Sequence, residues 1–437
     1  MGTVVIGAGA AGLAAAARLH EEGEDVVVLE ARDRIGGRIW TLRPRSVPVP
    51  IELGAEFTHG ETPELIEVAR DHDLRLVDIA GRRWESARGR LRLMDDFWER
   101  IDVVMRRLRK RPTDRSFAAA LEGMRSLPRG ERRLAMQFVE GFHAADPDLV
   151  SEGALANGGS PRGEVRERRI GRVLEGYDAV AQALAAPLLD RIRLGAVVRA
   201  VRWRRGRVEV ETNNHGDADP SVIVADRAII TVPLGVLQAG ASAAGGIAFD
   251  PPVPSVQRAA ALLHSGTVMK VVLELDEPFW TSEKFAERMG DERLDTLSFL
   301  HAASARAFPV WWTAYPVRAP VLVGWQGGPA ARAMRGLPRD AIVAGAMDSL
   351  AGLLRMRMRD VRSRVVAAYT HDWMSDPYSR GAYSYVGVGG SGAAAALSRP
   401  VQRTLFFAGE HTDREGRNGT VHGAIASGRQ AADAALR

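Results

Sequence analysis

TVVIGAGAAGLAAAARLHEEGEDVVVLEA, residues 3–31, reads as strand, glycine turn, helix and strand. The β-branched runs at 4–6 and 26–29 flank an Ala/Leu-rich stretch of helix formers, which is the pattern of a βαβ unit. Gly7 permits the tight turn, Gly9 lets the backbone approach a pyrophosphate, and Gly12 allows the helix to pack close to the strand. The helix N-terminus that follows favours an anion. Glu30 stands 18 residues after Gly12, at the end of the second strand, where a carboxylate accepts both ribose hydroxyls. A lone GxGxxG says little. With a strand before it, a helix after it and the acid in place, it predicts an α/β fold that binds a dinucleotide.

The rest of the composition fits such an enzyme. A chain of 437 residues, 46% hydrophobic and 26% charged, is globular and long enough for two domains. The net charge of +5 does not point to nucleic acid, because the arginines are scattered and form no stripe with interleaved aromatics. The absence of cysteine excludes disulfides, thiolate metal sites and a cofactor tethered through sulfur, and no metal is expected. The apolar N-terminus lacks a basic leader and is interrupted by glycine and charge; the chain closes on GRQAADAALR, with no apolar tail. A cytoplasmic protein with no membrane contact is the expectation.

The stretches ARDRIGGRIWT and IELGAEFTHG, which follow the βαβ unit, show which dinucleotide is meant. Arg38 comes after Gly36 and Gly37 in a second turn, where a guanidinium neutralises a diphosphate bidentately. Here the chain resembles the flavin-dependent amine oxidase family, which includes monoamine, polyamine and L-amino-acid oxidases and flavin-type histone demethylases. The resemblance implies that Glu30, Arg32, Gly36, Gly37 and Arg38 hold the adenosine diphosphate of FAD, and that Gly54 and Ala55 touch the flavin.

A C-terminal segment, LFFAGEHTDREGRNGTVHGAIASGRQAADAAL at 405–436, reads as a short buried strand followed by a helix with small residues along one face. It resembles the family's closing FAD motif. That resemblance assigns Glu410 to the cofactor chain and Gly419, Thr420 and Val421 to the flavin ring. The segment from Val197 alternates as a hairpin, and ADRAIITVPLGVL is a buried strand ending in a turn. Both resemble segments that flank the adenine, with a backbone contact at Val198.

Lys270 is one of three lysines in a chain with 59 Lys and Arg. By periodicity Val268, Lys270, Val272 and Glu274 share one strand face, and the spacing alone reads as a partly solvated face with a Lys/Glu pair. The resemblance reads it otherwise: in the amine oxidases this lysine reaches flavin N5 through a water. Tyr383 occupies the position of one wall of the family's amine-binding aromatic cage, and Thr420 the other, where several relatives carry tyrosine. Ala382 stands where monoamine oxidases tether the flavin to cysteine, so FAD is expected to be non-covalent.

The segment LGAEFTHG resembles the LGAxWxHG of polyamine oxidases, which implies that Glu56 and His59 bind a cationic, extended amine. Either residue also reads as a hydrogen-bonded structural group. The expected architecture is a Rossmann-like FAD-binding domain (1–79, 172–250, 395–437) interleaved with an α+β substrate domain, helical at 80–171 and sheet-based at 251–394. Basic runs such as MRRLRKR and EVRERRIGR read as solvated faces. The implied reaction is hydride transfer from the amine α-carbon to flavin N5. It yields an imine that hydrolyses to an aldehyde or ketone, with O2 reduced to hydrogen peroxide. A polyamine or primary amine is the expected substrate; an L-amino-acid oxidase or a flavin protein with little turnover is the alternative.

Overall fold

In the computed structural model, residues 2–60, 62–87, 90–158, 169–214, 221–290, 292–304 and 306–437 are described. Strands Thr3–Ile6 and Val26–Leu29 lie parallel and are joined by helix Ala10–Glu21, as the opening pattern predicts. Three more strands extend them into a parallel sheet, in the order Ile192–Arg193, Val26–Leu29, Thr3–Ile6, Arg227–Ile230, Leu405–Phe407. Strands buried on both faces read as unbroken apolar runs, which is why Leu405, Phe406 and Phe407 follow one another without a polar break. Helix Val421–Leu436 crosses helix Ala10–Glu21 at close range. A Cβ on Gly428 would sit 2.1 Å from the Ala11 carbonyl oxygen, so the crossing requires a residue without one.

The hairpin expected from Val197 forms from Ala196–Arg204 and Arg207–Asn214. The polar loop beyond it, at 215–220, lies outside the described residues.

A second sheet has seven strands, in the order Val365–Thr370, Val268–Leu275, Val321–Gly327, Val310–Thr313, Leu297–Ala302, Arg82–Ala87, Arg90–Leu93. Strand alternation sorts its side chains. Met269, Val271, Leu273 and Leu275 enter a core with Ile342, Ala346 and Leu350 of helix Arg339–Leu354. The opposite face carries Val272, Val323, Trp312 and Phe299. Every residue of Val268–Leu275 is buried, so the partly solvated face that spacing alone allowed is not what forms.

The stretch from 80 to 171 is not wholly helical: it opens with the two strands that finish this sheet. Arg82–Ala87 belongs there because it pairs with Leu297–Ala302, a partner too distant in sequence for local pattern to reveal. Helices Phe97–Met105, Phe117–Gly123, Arg129–Phe142 and Glu152–Gly158 follow. Among the described residues, no helix is long and apolar enough to cross a membrane.

Candidate active site

Between the two sheets, under the helices Phe97–Met105 and Arg129–Phe142, lies a cavity of 1140 Å³. Gly7, Gly9, Glu30, Arg32, Gly36, Gly37, Arg38, Gly54, Ala55 and Val198 line it, as do Glu410, Gly419, Thr420, Val421, Lys270, Tyr383, Glu56 and His59. Of the candidate cofactor, substrate and catalytic residues read from the sequence, Gly12 alone does not. It sits against the first strand, where a Cβ would fall 1.9 Å from the Gly7 carbonyl oxygen. Val198 puts its side chain into the core beneath the cavity.

One end of the cavity is made of glycine turns. The first turn of helix Ala10–Glu21 has neither a side-chain cap nor an acid, so its N–H groups and the helix dipole favour an anion. A Cβ on Gly9 would meet nothing nearer than the Gly36 oxygen at 3.9 Å, so a ligand has room to reach the backbone. Gly36 adopts φ 97°, which glycine alone adopts without strain. The turn is braced by Arg34, which donates to the carbonyls of Ile35, Gly37 and Ile39. Glu30 is buried, and its oxygens accept from the backbone N–H groups of Ala8 and Arg32. The Arg32 guanidinium pairs with Asp376 at 2.8 Å and donates to Ser379.

Glu410 joins three segments at the middle of the cavity. One oxygen accepts from Arg38 at 3.0 Å; the other accepts from Ser384 Oγ at 2.7 Å and from the Gly419 N–H at 2.9 Å. Burial works to raise this carboxyl, but Arg38 and these donors outweigh it and hold it below the usual carboxylate range. Arg38 also donates to the carbonyl of Ala382. Tyr383 follows immediately, its hydroxyl donating to the Phe142 carbonyl at 2.7 Å, and its ring lies over Gly419. The hydroxyl of Thr420 donates to the Arg417 carbonyl and accepts from the Gly423 N–H, capping the last helix.

Lys270 is buried, with Nζ 2.6 Å from Glu56 Oε2 and 3.3 Å from the Gly54 carbonyl oxygen. The other oxygen of Glu56 lies 2.8 Å from Arg172 and accepts from Trp312 Nε1 at 2.8 Å. Burial pushes the Glu56 carboxyl up, but the two cations pull it below its ordinary value. Arg172 had no signal of its own in sequence, because it closes the run EVRERRIGR, which reads as solvated. It is instead largely buried: strand Ile170–Val173 pairs with Thr58–His59 and carries Arg172 to Glu56. Residues 164–168 of that run lie outside the described residues.

His59 is stacked edge-on between Phe57 and Phe142, and burial pushes it down to about 4, so it is neutral at pH 7. Trp312 and Trp325 also line the cavity. Trp311 packs into the other core and donates to the Phe308 carbonyl.

Residues 10–436 match the family described as flavin containing amine oxidoreductase. The chain belongs to that family. Polyamine oxidase 3 of Oryza sativa subsp. japonica is 30% identical over 471 residues, covering 98% of this chain and 88% of that one. Lysine-specific histone demethylase 1 homolog 3 of Arabidopsis thaliana is 29% identical, with 97% of this chain matched to 29% of that longer protein. The solved structure of wild-type putrescine oxidase bound to putrescine has a TM-score of 0.79 and 25% identity, and covers 100% of this chain and 99% of that chain. The fold is therefore that of an amine-oxidase flavoprotein, and the protein is an amine oxidase with a flavin cofactor. Its uncapped helix, open glycine backbone and buried acid fit a phosphate-bearing flavin.

Proposed function

We propose that the protein is an FAD-dependent oxidase of primary or extended amines, with FAD held non-covalently. The glycine turns, Glu30, Arg32 and Arg38 would hold the adenosine diphosphate; Gly54, Ala55, Gly419, Thr420 and Val421 would lie along the flavin ring. The parallel sheet, built from 3–29, 192–193, 227–230 and 405–407, supports a cofactor domain assembled from 1–79, 172–250 and 395–437. The seven-stranded sheet supports a substrate domain at 80–171 and 251–394.

A bound flavin would supply a hydride acceptor for the carbon beside the amine nitrogen and a route for the two electrons to oxygen, so that the products would be an imine, which water hydrolyses, and hydrogen peroxide. The protein contributes orientation and charge. The Tyr383 ring, fixed through its hydroxyl, offers a face to the amine. Neutral His59 can accept a hydrogen bond from the neutral amine's N–H and adds no positive charge beside it. Lys270 brings a compact positive charge to the same cavity, where it favours electron transfer to oxygen.

The observation that carries this reading is the buried Lys270 lining the same cavity as Gly54, Tyr383 and the glycine turns. Polyamine oxidases among the relatives support an amine substrate. The test is a visible spectrum of the purified protein, then anaerobic addition of polyamines, primary monoamines and L-amino acids. Bleaching of oxidised flavin by an amine, reversed by air with peroxide release, is the expected result. A yellow protein that no amine bleaches would overturn it.

A further inference from the structure

The face of the seven-stranded sheet that carries Lys270 also carries a second cation at its far side. Register partners run Val272, Val323, Trp312, Phe299, Arg83 across five strands, and Lys270 is two residues from Val272 on the same face. Four strand steps separate the backbones at the two ends by roughly 19 Å. Lys270, Trp312, Phe299 and Arg83 all line the cavity, so the sheet forms its floor from one end to the other.

The cations along this cavity differ in one respect. Lys270 has Glu56, Arg38 has Glu410, Arg32 has Asp376 and Arg417 has Asp413, while Arg414 donates to Ser398. The Arg83 guanidinium has no hydrogen bond or ion pair among the described residues. Its guanidinium carbon lies 4.2 Å from the Phe299 ring centre, 4.7 Å from Phe97 and 5.5 Å from Trp98. Aromatic faces offset part of its lost hydration but fill none of its N–H donors. Burial pushes it down only to about 10, so it stays charged at neutral pH. The neighbouring His301 adds no charge, since burial and Arg83 push it down to about 3.

The carboxylates lining the cavity are taken elsewhere. Glu30 and Glu410 serve the glycine end, and Glu56 is held between Lys270 and Arg172. Asp102 pairs with Arg106 and Glu415 with Arg417. A second ammonium in the cavity would therefore find no unengaged carboxylate among the described residues that line it, and would meet Arg83 instead.

We propose that Arg83 binds a carboxylate at the end of the amine substrate remote from the oxidised carbon. The substrate is then an extended amino carboxylate, not a dicationic polyamine. The guanidinium fork matches a carboxylate bidentately, which an ammonium partner cannot do. This inference rests on the reading that amine oxidation occurs at the Lys270 end.

The test compares three series of increasing length on the holoenzyme: ω-amino carboxylates, alkylamines of equal length and α,ω-diamines. The wild type should prefer the amino carboxylate to the diamine by about tenfold or more in kcat/KM, the size of one charge-assisted pair. Arg83→Met should abolish that preference and leave kcat/KM for the alkylamine within about threefold; Arg83→Lys should keep part of it. Octanoate, which carries no amine, is titrated by calorimetry and should bind the wild type but not Arg83→Met. A wild type that prefers diamines, or does not bind octanoate, overturns the assignment whatever the variants do. Octanoate binding that depends on Arg83, in a protein that oxidises no amine, would uphold the anion site and overturn the oxidase reading instead.

Discussion

Lys270 Nζ and Glu56 Oε2 lie 2.6 Å apart with both side chains buried, and Arg172 holds the opposite oxygen of the same carboxylate at 2.8 Å. One carboxylate thus compensates two buried cations. Removing it should cost more than removing either cation, because an uncompensated buried charge is strongly destabilising. Glu56→Gln is expected to lower unfolding free energy by about 3–5 kcal/mol. Lys270→Met leaves Glu56 paired with Arg172 and Trp312 and should cost clearly less. Urea unfolding of both variants checks the order, and the reverse order would show that Glu56 is not the shared counter-ion.

Lys270→Met should also keep its flavin spectrum while slowing flavin reduction or reoxidation by about tenfold or more, as expected when a positioned charge is removed. Stopped-flow absorbance in anaerobic and aerated buffer separates the two half-reactions. Wild-type rates in both would remove Lys270 from the mechanism.

His59 lies well below neutrality, at about 4, because burial disfavours its charged form. It is therefore a weak base, and the amine must arrive deprotonated from solution. The acidic limb of kcat/KM against pH should follow the ionisation of the substrate amine and move when a less basic amine is used. A limb fixed between about pH 6 and 7 for every amine would instead identify a histidine as the base.

His301 and His411 are held down to about 3 and about 4, mainly by burial, against an ordinary value of 6.5. Between those values the unfolded chain binds more protons than the folded one, so stability rises with pH through this window and is lost on acidification. At about 1.4 kcal/mol per pKa unit, the full swing is about 5 kcal/mol for His301 and about 3 kcal/mol for His411. Denaturant midpoints of the cofactor-free protein from pH 4 to 7 should climb, and His411→Asn should flatten the climb. A midpoint independent of pH over that range would contradict the neutral buried state.

The opening βαβ unit, the GGR turn and the final helix were all legible because their signals are local. A glycine at a positive φ or under a crossing helix is dictated by atoms a few residues away, or by a close approach that only glycine allows. Lys270 was legible for another reason: a lysine inside an apolar strand pattern is out of place, and it resembles a family motif. Glu56 was legible as a candidate group, but not as the counter-ion of Lys270.

Arg172 and Arg83 carried no such signal. Each sits among other arginines, and each becomes a largely buried cation only when its strand pairs with a distant one. The sequence by itself determined the glycine-turn end of the cavity, where short-range backbone geometry dictates residue type. Only the tertiary structure decided which charges face one another across it. Ion pairing and desolvation depend on distances between strands remote in the chain, and neither composition nor spacing encodes those distances.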